Sequence, residues 1–438
     1  LMNRISVFAI IFTLFIPLGS YAQYASSSKT PKKAGDLIES TSYNDHKRGA
    51  PRMLQYLPSG EEFVCVNGKN RYTRALYGGH TAWRLETGDR PIFATYVKND
   101  CRNIRFRLHL PDGTVTPLEE TDWCEARYNP GTRTYALKDK AWGENCSLKV
   151  SVLASLTEEM AVWELSGELP AGCELEVLNS PICRKKLSRS GDMGADPPGC
   201  FEPAEDGTVL QTLKCRFPAD RHLYVGISGN ELKEMQDGGV QYLALQKACR
   251  ELAGRIRITT PDPYFNTLGG ALAVAADGIW GEEGVWLHGA VGWRMPLSGW
   301  RAAYVGDVLG WHDRARTHFD NYAASQVTEV PNTISHPAQD SALALARSAK
   351  IWGTPQYSNG YICRNPRRNN QMHHYDMSLC YIDELLWHFN WTGDLEYARR
   401  MWPLLTLHLA WEKRNFDPDN DGLYDAYACI WASDALYY

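Results

Sequence analysis

The chain has 438 residues and a mass of 49.4 kDa, more than one ordinary domain holds, so two or three are expected. Hydrophobic residues make up 44% and charged residues 22%, the profile of a packed globular protein rather than a disordered one. The formal net charge is -5 and the pI near 6.2, with no long basic or acidic block, which excludes the electrostatic footprint of a nucleic-acid binder.

In chain order, Arg4 precedes the apolar run VFAIIFTLFIPLG from Val7, and Ser20-Tyr21-Ala22 has the small-x-small form that signal peptidase cuts. Residues 1–22 are therefore expected to be a signal peptide, with export to the periplasm or beyond the cell; a short N-terminal membrane anchor is the alternative. The run is shorter than the roughly 20 residues that span a bilayer, so no membrane association is expected after cleavage, and no Cys follows the cut to carry a lipid. Residues 23–50 are small, polar and basic and read as a flexible leader.

From 51 to 260 the pattern is apolar alternation broken by turns, the signature of strands. In IRFRLHLPDG, Ile104, Phe106, Leu108 and Leu110 share one face before the Pro111-Asp112-Gly113 turn. Asn129-Pro130-Gly131 predicts a hairpin, and LKVSVLASLTEEMAVWELSGEL predicts another, with Leu148, Val150 and Val152 facing Val162 and Leu165 or their neighbours. Arg189–Gly199 is expected to be a long loop, and the strand pattern to end with RIRITT at Thr260. Short strands, hairpin turns and almost no helical stretch predict an antiparallel β-sandwich.

Of the 12 Cys, nine lie from Cys65 to Cys249 and three from Cys363 to Cys429, so neither half can pair completely. There is no CxxC pair and no zinc spacing. A few disulfides are compatible with this pattern, but most of these Cys are expected to be small core residues. No cofactor is implied.

From 261 to 438 the period becomes helical. Asp262 and Pro263 are placed as N-cap and first helical residue. Further helices are predicted from Ala338, Asp376 and Asp394, the second with a stripe of Met377, Tyr381, Leu385 and His388, and with Asp383 and Glu384 on another side. Of the 15 Trp, 11 lie after residue 262, as core or as stacking platforms for sugar rings.

The segment Gly284–Arg316 combines Trp286, Trp293, Trp300 and Trp311 with Arg294 and Arg301, each directly after a Trp, and with Asp307 and Asp313. Stacking faces, guanidinium donors and carboxylate acceptors are what a carbohydrate requires; the other reading is a surface loop with paired charges and core Trp. His373-His374 with Asp376 stand at a helix mouth as a sugar contact from one His or a helix cap, metal ligation being disfavoured because adjacent His point apart. Asp417, Asp419, Asp421 and Gly422 match the first half of a calcium loop, but its twelfth position is Ala428 instead of Glu, so no metal site is assigned. Asp434, between Trp431 and the pair Tyr437-Tyr438, is where aromatic burial would raise a carboxyl pKa toward that of a general acid.

The stretch TGDLEYARRMWPLLTLHLAWEKRNFDPDNDGLYDA, Thr392–Ala426, resembles the six-hairpin glycosidases, whose catalytic domain is an (α/α)6 toroid. In that superfamily a helix after a Thr-Gly-Asp turn leads to an Asp-rich loop and then to the general acid, which implies Asp434 here. RYTRALYGGHTAWRLETGDRPIFATY, Arg71–Tyr96, resembles the sandwich domain of unknown function 4450 of exported polysaccharide-degrading proteins. The resemblance implies a β-sandwich followed by an incomplete (α/α)6 toroid, in an exported, inverting, exo-acting glycoside hydrolase. Its substrates would be complex polysaccharides bearing sugars such as L-arabinofuranose or L-rhamnose, and Trp293, Arg294, Trp300, Arg301, Asp307, His373 and Trp431 would hold the sugar. About half a ring follows Asp262, so the general base is expected beyond residue 438 and these residues alone are expected to be nearly inactive. The alternatives are a non-catalytic carbohydrate-binding or surface-assembly module and a phosphorolytic relative.

Overall fold

The computed structural model describes residues 42–44, 51–53, 56–72, 74–97, 100–184, 186–188, 190, 196–218, 220–291, 294–328, 333–335, 355–369 and 377–424. The chain forms two compact units, Leu1–Leu57 and Pro58–Tyr438. In the first, β1 (Ser42–Asn44) pairs antiparallel with β2 (Pro51–Met53).

The strands that follow are β3 (Leu57–Ser59), β4 (Glu62–Val66), β5 (Arg74–Tyr77), β6 (Arg84–Thr87), β7 (Ile92–Tyr96), β8 (Arg102–His109) and β9 (Val115–Pro117). Then come β10 (Trp123–Asn129), β11 (Thr132–Lys138), β12 (Ser147–Ala154), β13 (Met160–Glu168), β14 (Glu174–Pro181), β15 (Gln211–Arg216), β16 (His222–Ser228) and β17 (Glu231–Glu234). They build an eight-stranded sheet in the order β17-β16-β13-β12-β11-β10-β4-β3 and a seven-stranded sheet in the order β15-β14-β8-β7-β6-β5, with β9 on β8. Alternation sets which faces meet. Ile104, Phe106 and Leu108 of β8 are fully buried, and the hairpin expected at Asn129-Pro130-Gly131 forms, with Asn129 opposite Thr132. Val150 lies opposite Leu165 and Leu153 opposite Val162. Phe93 of one sheet meets Trp163 of the other edge-on at 5.3 Å and Tyr135 at 5.9 Å, a packing worth about 1 kcal/mol per pair beyond the area it buries. The core thus lies between two antiparallel sheets, the expected sandwich.

The sequence reading differs from the structure between Gly238 and Thr260. Gly238–Ala253 is a 16-residue helix, α1, and Arg255–Thr260 is irregular rather than a strand. Tyr242, Cys249 and Leu252 recur at helical spacing and are buried; Tyr242 packs with Leu153, Met160 and Val162 on the sheet and donates to Ser151 Oγ at 2.7 Å. The helical period was hidden by a strand-like flank on each side.

The remaining helices are α2 (Pro263–Gly278), α3 (Tyr304–Val308), α4 (His312–Ala323), α5 (Met377–Thr392) and α6 (Leu395–Phe416). Strands β18 (Thr333–Ser335) and β19 (Pro355–Tyr357) pair antiparallel. Asp262 caps α2 by accepting from Tyr264 N–H at 2.8 Å, and Asp394 caps α6 by accepting from Tyr397 N–H at 2.9 Å. The helix predicted from Ala338 lies outside the described residues. Eleven described Cys are free, most of them buried, and Cys429 lies outside the described residues.

The C-terminal end of α2 is the seam between sheets and helices. Asp277 accepts from His80 of the β5–β6 loop at 3.1 Å and from Arg314 of α4 at 2.7 Å. Gly278 lies against Tyr77, where a Cβ would come within 2.7 Å of the ring. Burial alone would raise the Asp277 carboxyl, but the hydrogen bonds and charges of His80 and Arg314 outweigh it and hold the group below its ordinary value of 3.8. A depressed carboxyl contributes stability that is full above its unfolded value and lost as pH falls through the folded one. Asp277→Asn is therefore expected to cost about 3 kcal/mol at pH 7, and the gap to the wild type is expected to shrink by pH 3; urea unfolding at both pH values measures it.

Candidate functional site

The described Trp residues of the 284–316 segment are two buried in the core and one half-buried. Trp286 is fully buried, its backbone N–H donating to His318 Nδ1 at 3.1 Å. Trp311 is buried between the guanidinium groups of Arg314 at 4.6 Å and Arg255 at 5.3 Å. Burial pushes the His318 imidazole down to about 3, so it is neutral and serves as an acceptor. Trp300 is half-buried, its ring 4.2 Å from that of His288. The loop bearing it is set by Gly299, where a Cβ would fall 1.9 Å from the carbonyl oxygen of Met377 and 2.7 Å from the Tyr381 nitrogen. Arg301, next in sequence, is exposed with a left-handed φ of 63°.

Asp307 is turned into the helical core. Its carboxylate accepts from His388 Nδ1 of α5 at 2.9 Å and from His312 Nδ1 at 2.7 Å, and His388 is fully buried. On α5 the predicted stripe of Met377, Tyr381, Leu385 and His388 is buried, but so is Glu384, which is 2% exposed. The sequence reading put Glu384 on another side; the inward face is wider, and the carboxylate reaches the start of α3, accepting from Ala303 N–H at 3.3 Å. Burial pushes the Glu384 carboxyl well above its ordinary value. Trp293, His373, Trp431 and Asp434 lie outside the described residues.

Arg294 is the predicted residue that reaches a cavity. Of about 550 Å³, the cavity opens where the ends of β7 and β8, residues that follow β14, and Val291 and Arg294 meet. Tyr96, Arg102, Arg184 and Lys186 line it with Arg294. Arg294 donates to the carbonyls of Gly278 at 2.7 Å, Trp280 at 3.0 Å and His80, so it also closes the α2 seam. Trp300, Arg301 and Asp307 do not line this cavity. Burial pushes the Cys101 thiol on its wall up to about 11, too high for a nucleophile at neutral pH. Sequence reasoning missed Arg102, Arg184 and Lys186; the signal was the Arg184-Lys185-Lys186 run inside a strand-rich region. In the loop after α6, oxygens of Asp417, Asp419 and Asp421 lie within 4.8 Å of one another. Asp417 and Asp421 also accept from the Gly422 and Leu423 N–H groups, so the loop closes on itself and could hold a cation only by sharing these oxygens.

A family profile described as a domain of unknown function, DUF4450, matches residues 101–211, from the start of β8 to the first residue of β15. The match falls beyond the Arg71–Tyr96 stretch on which the resemblance was drawn. No curated protein matches the sequence. Among solved structures, a bacterial glucoamylase complexed with acarbose is similar with a TM-score of 0.34 and 8% identity, covering 60% of this chain and 54% of that one. The chain thus spans about half the length of that glucoamylase.

The raised carboxyl of Glu384 has a measurable consequence. In the unfolded chain it ionises above about 4.5, while in the fold burial holds it well above that value, so it draws stability down as pH rises from that point. Glu384→Gln keeps the acceptor for Ala303 and removes the titration. Thermal unfolding at pH 5 and pH 8 should show the variant gaining at least about 1 kcal/mol on the wild type at the higher pH.

Proposed function

We propose that the chain is the sandwich and the leading helices of an exported, inverting, exo-acting glycoside hydrolase acting on complex polysaccharide, removing sugars such as L-arabinofuranose or L-rhamnose. On this reading residues 1–22 direct export, 23–50 are a leader, 51–260 are the sandwich domain and 261–438 begin an (α/α)6 ring. One observation carries it. Helices α5 and α6 form a hairpin joined at Gly393-Asp394, with Asp394 capping α6, and α6 runs out into the Asp417–Leu423 loop. This is the order of parts by which Thr392–Ala426 resembles the six-hairpin glycosidases, and it leads toward Asp434.

Asp434 is then the general acid that protonates the leaving oxygen. A second carboxylate activates water from the opposite face across roughly 6.5 to 9.5 Å. Trp293, Trp300, Arg301, His373 and Trp431 are proposed to hold the sugar. Arg294 does so from the cavity wall, whereas Asp307 contributes by fixing α3 to α5 through His388.

The cavity favours the second reading, a non-catalytic carbohydrate-binding module. Among the described residues its one lining carboxylate, Asp100, is paired with Arg102, which supports binding rather than hydrolysis there. The two readings separate in the natural gene product that contains these residues. Asp434→Asn is expected to lower sugar release from polysaccharide by at least about 100-fold while glycan binding persists. Undiminished release would remove Asp434 from the role of acid, and glycan binding with no release by the wild type would favour the binding module.

A further inference from the structure

The described residues that line the cavity at the seam carry excess positive charge. Among the described residues, four cations line it against one carboxylate, in a chain of net charge -5. Two of the four are committed. Arg102 pairs with Asp100, and Arg184 Nη1 lies 3.3 Å from the buried Asp196 Oδ1. The other two are not. Lys186 has no ion-pair partner among the described residues, and the bonds of Arg294 go to the backbone carbonyls of Gly278, Trp280 and His80.

A half-buried guanidinium bonded only to neutral oxygens keeps its full charge in a medium that solvates it poorly, and burial accordingly pulls Arg294 below its ordinary value. Of its five N–H groups, three are used at the α2 seam. An anion entering the cavity offsets this charge without breaking the seam. The opposite requirement, a face for a ring's C–H groups, is met by Tyr96, Ile182, Leu187 and Val291. The volume of about 550 Å³ falls within the range of small-molecule pockets.

We propose that this cavity binds an anionic saccharide, a sugar bearing carboxylate or sulfate oxygens that meet Lys186 and Arg294. The proposal deepens the carbohydrate reading above and rests on it. Lys186 is exposed and outside the proposed catalytic machinery, so Lys186→Glu should leave the fold intact, as an unchanged melting temperature will show. Isothermal titration of the purified chain would use trigalacturonate, galactose 6-sulfate, a neutral galactotriose and inorganic sulfate. One of the two anionic sugars is expected to bind at least about tenfold more tightly than galactotriose, to lose about tenfold in Lys186→Glu and to weaken with added salt. Whichever sugar does so separates carboxylate from sulfate recognition. Equal binding of charged and neutral sugars, or no loss in Lys186→Glu, overturns the anion preference and leaves the carbohydrate reading standing. Binding of inorganic sulfate as tight as that of either sugar overturns the saccharide claim, and no binding of any sugar overturns both.

Discussion

The end of one helix organises this molecule. At the C-terminus of α2 the last carbonyls have no intrahelical partner and carry the negative end of the helix dipole. Arg294 supplies a donor to Gly278 and, two residues past the helix, to Trp280, and with the same guanidinium holds the His80 carbonyl of the β5–β6 loop. One residue earlier, Asp277 takes His80 through its ring and Arg314 through its guanidinium. A single helix end therefore fixes the strand loop, Arg294 and α4 relative to each other, and the cationic cavity opens beside it. The hairpin tip at Asn129-Pro130-Gly131 meets the helices farther up α2: Gly131 lies under Cys249 of α1, and Pro130 sits against Gly270 of α2.

Away from the seam, the helices are held by buried ionisable groups. Asp307 joins α3 to α5 through His388, Glu384 reaches back from α5 to the start of α3, and within α6 His408 and Glu412 pair at 3.2 Å. Such groups are costly to bury, and apolar residues in their place are often as stable. What they add is geometry, because each group has few partners it can accept without leaving a charge or an N–H unsatisfied. Asp307 shows the consequence for function. A carboxylate that two histidines hold inside the helical packing positions the elements that carry them.

Charge is distributed against the average of the chain. An acidic protein with a pocket of excess positive charge concentrates anions at one place and repels them elsewhere. The pocket draws its cations from segments far apart in sequence, Arg102 at the head of β8, Arg184 and Lys186 beyond β14, and Arg294 from the helical half. Excess charge can persist there because Arg294 is satisfied by carbonyls, which hold its position without neutralising it.

Much of the fold was legible in the sequence. Alternation placed Ile104, Phe106 and Leu108 inward, the Asn-Pro-Gly turn fixed a hairpin, and Asp262, Pro263 and Asp394 marked where helices begin, because each of these signals acts over a few residues. The same local rules failed at α1, where strand-like flanks hid the period of Tyr242, Cys249 and Leu252, and at Glu384, whose inward direction depends on where α3 lies. The site was less legible still. Arg294 was recognisable as unusual beside Trp293, but its bond to His80 spans 214 residues, and its neighbours Arg102, Arg184 and Lys186 come from the sandwich. Hydrophobic period and capping decide which residues are strand, helix and core. Which charges share a cavity is decided only when sheets and helices dock, since an ion pair or a cluster of cations is set by distance through space, which spacing along the chain does not encode.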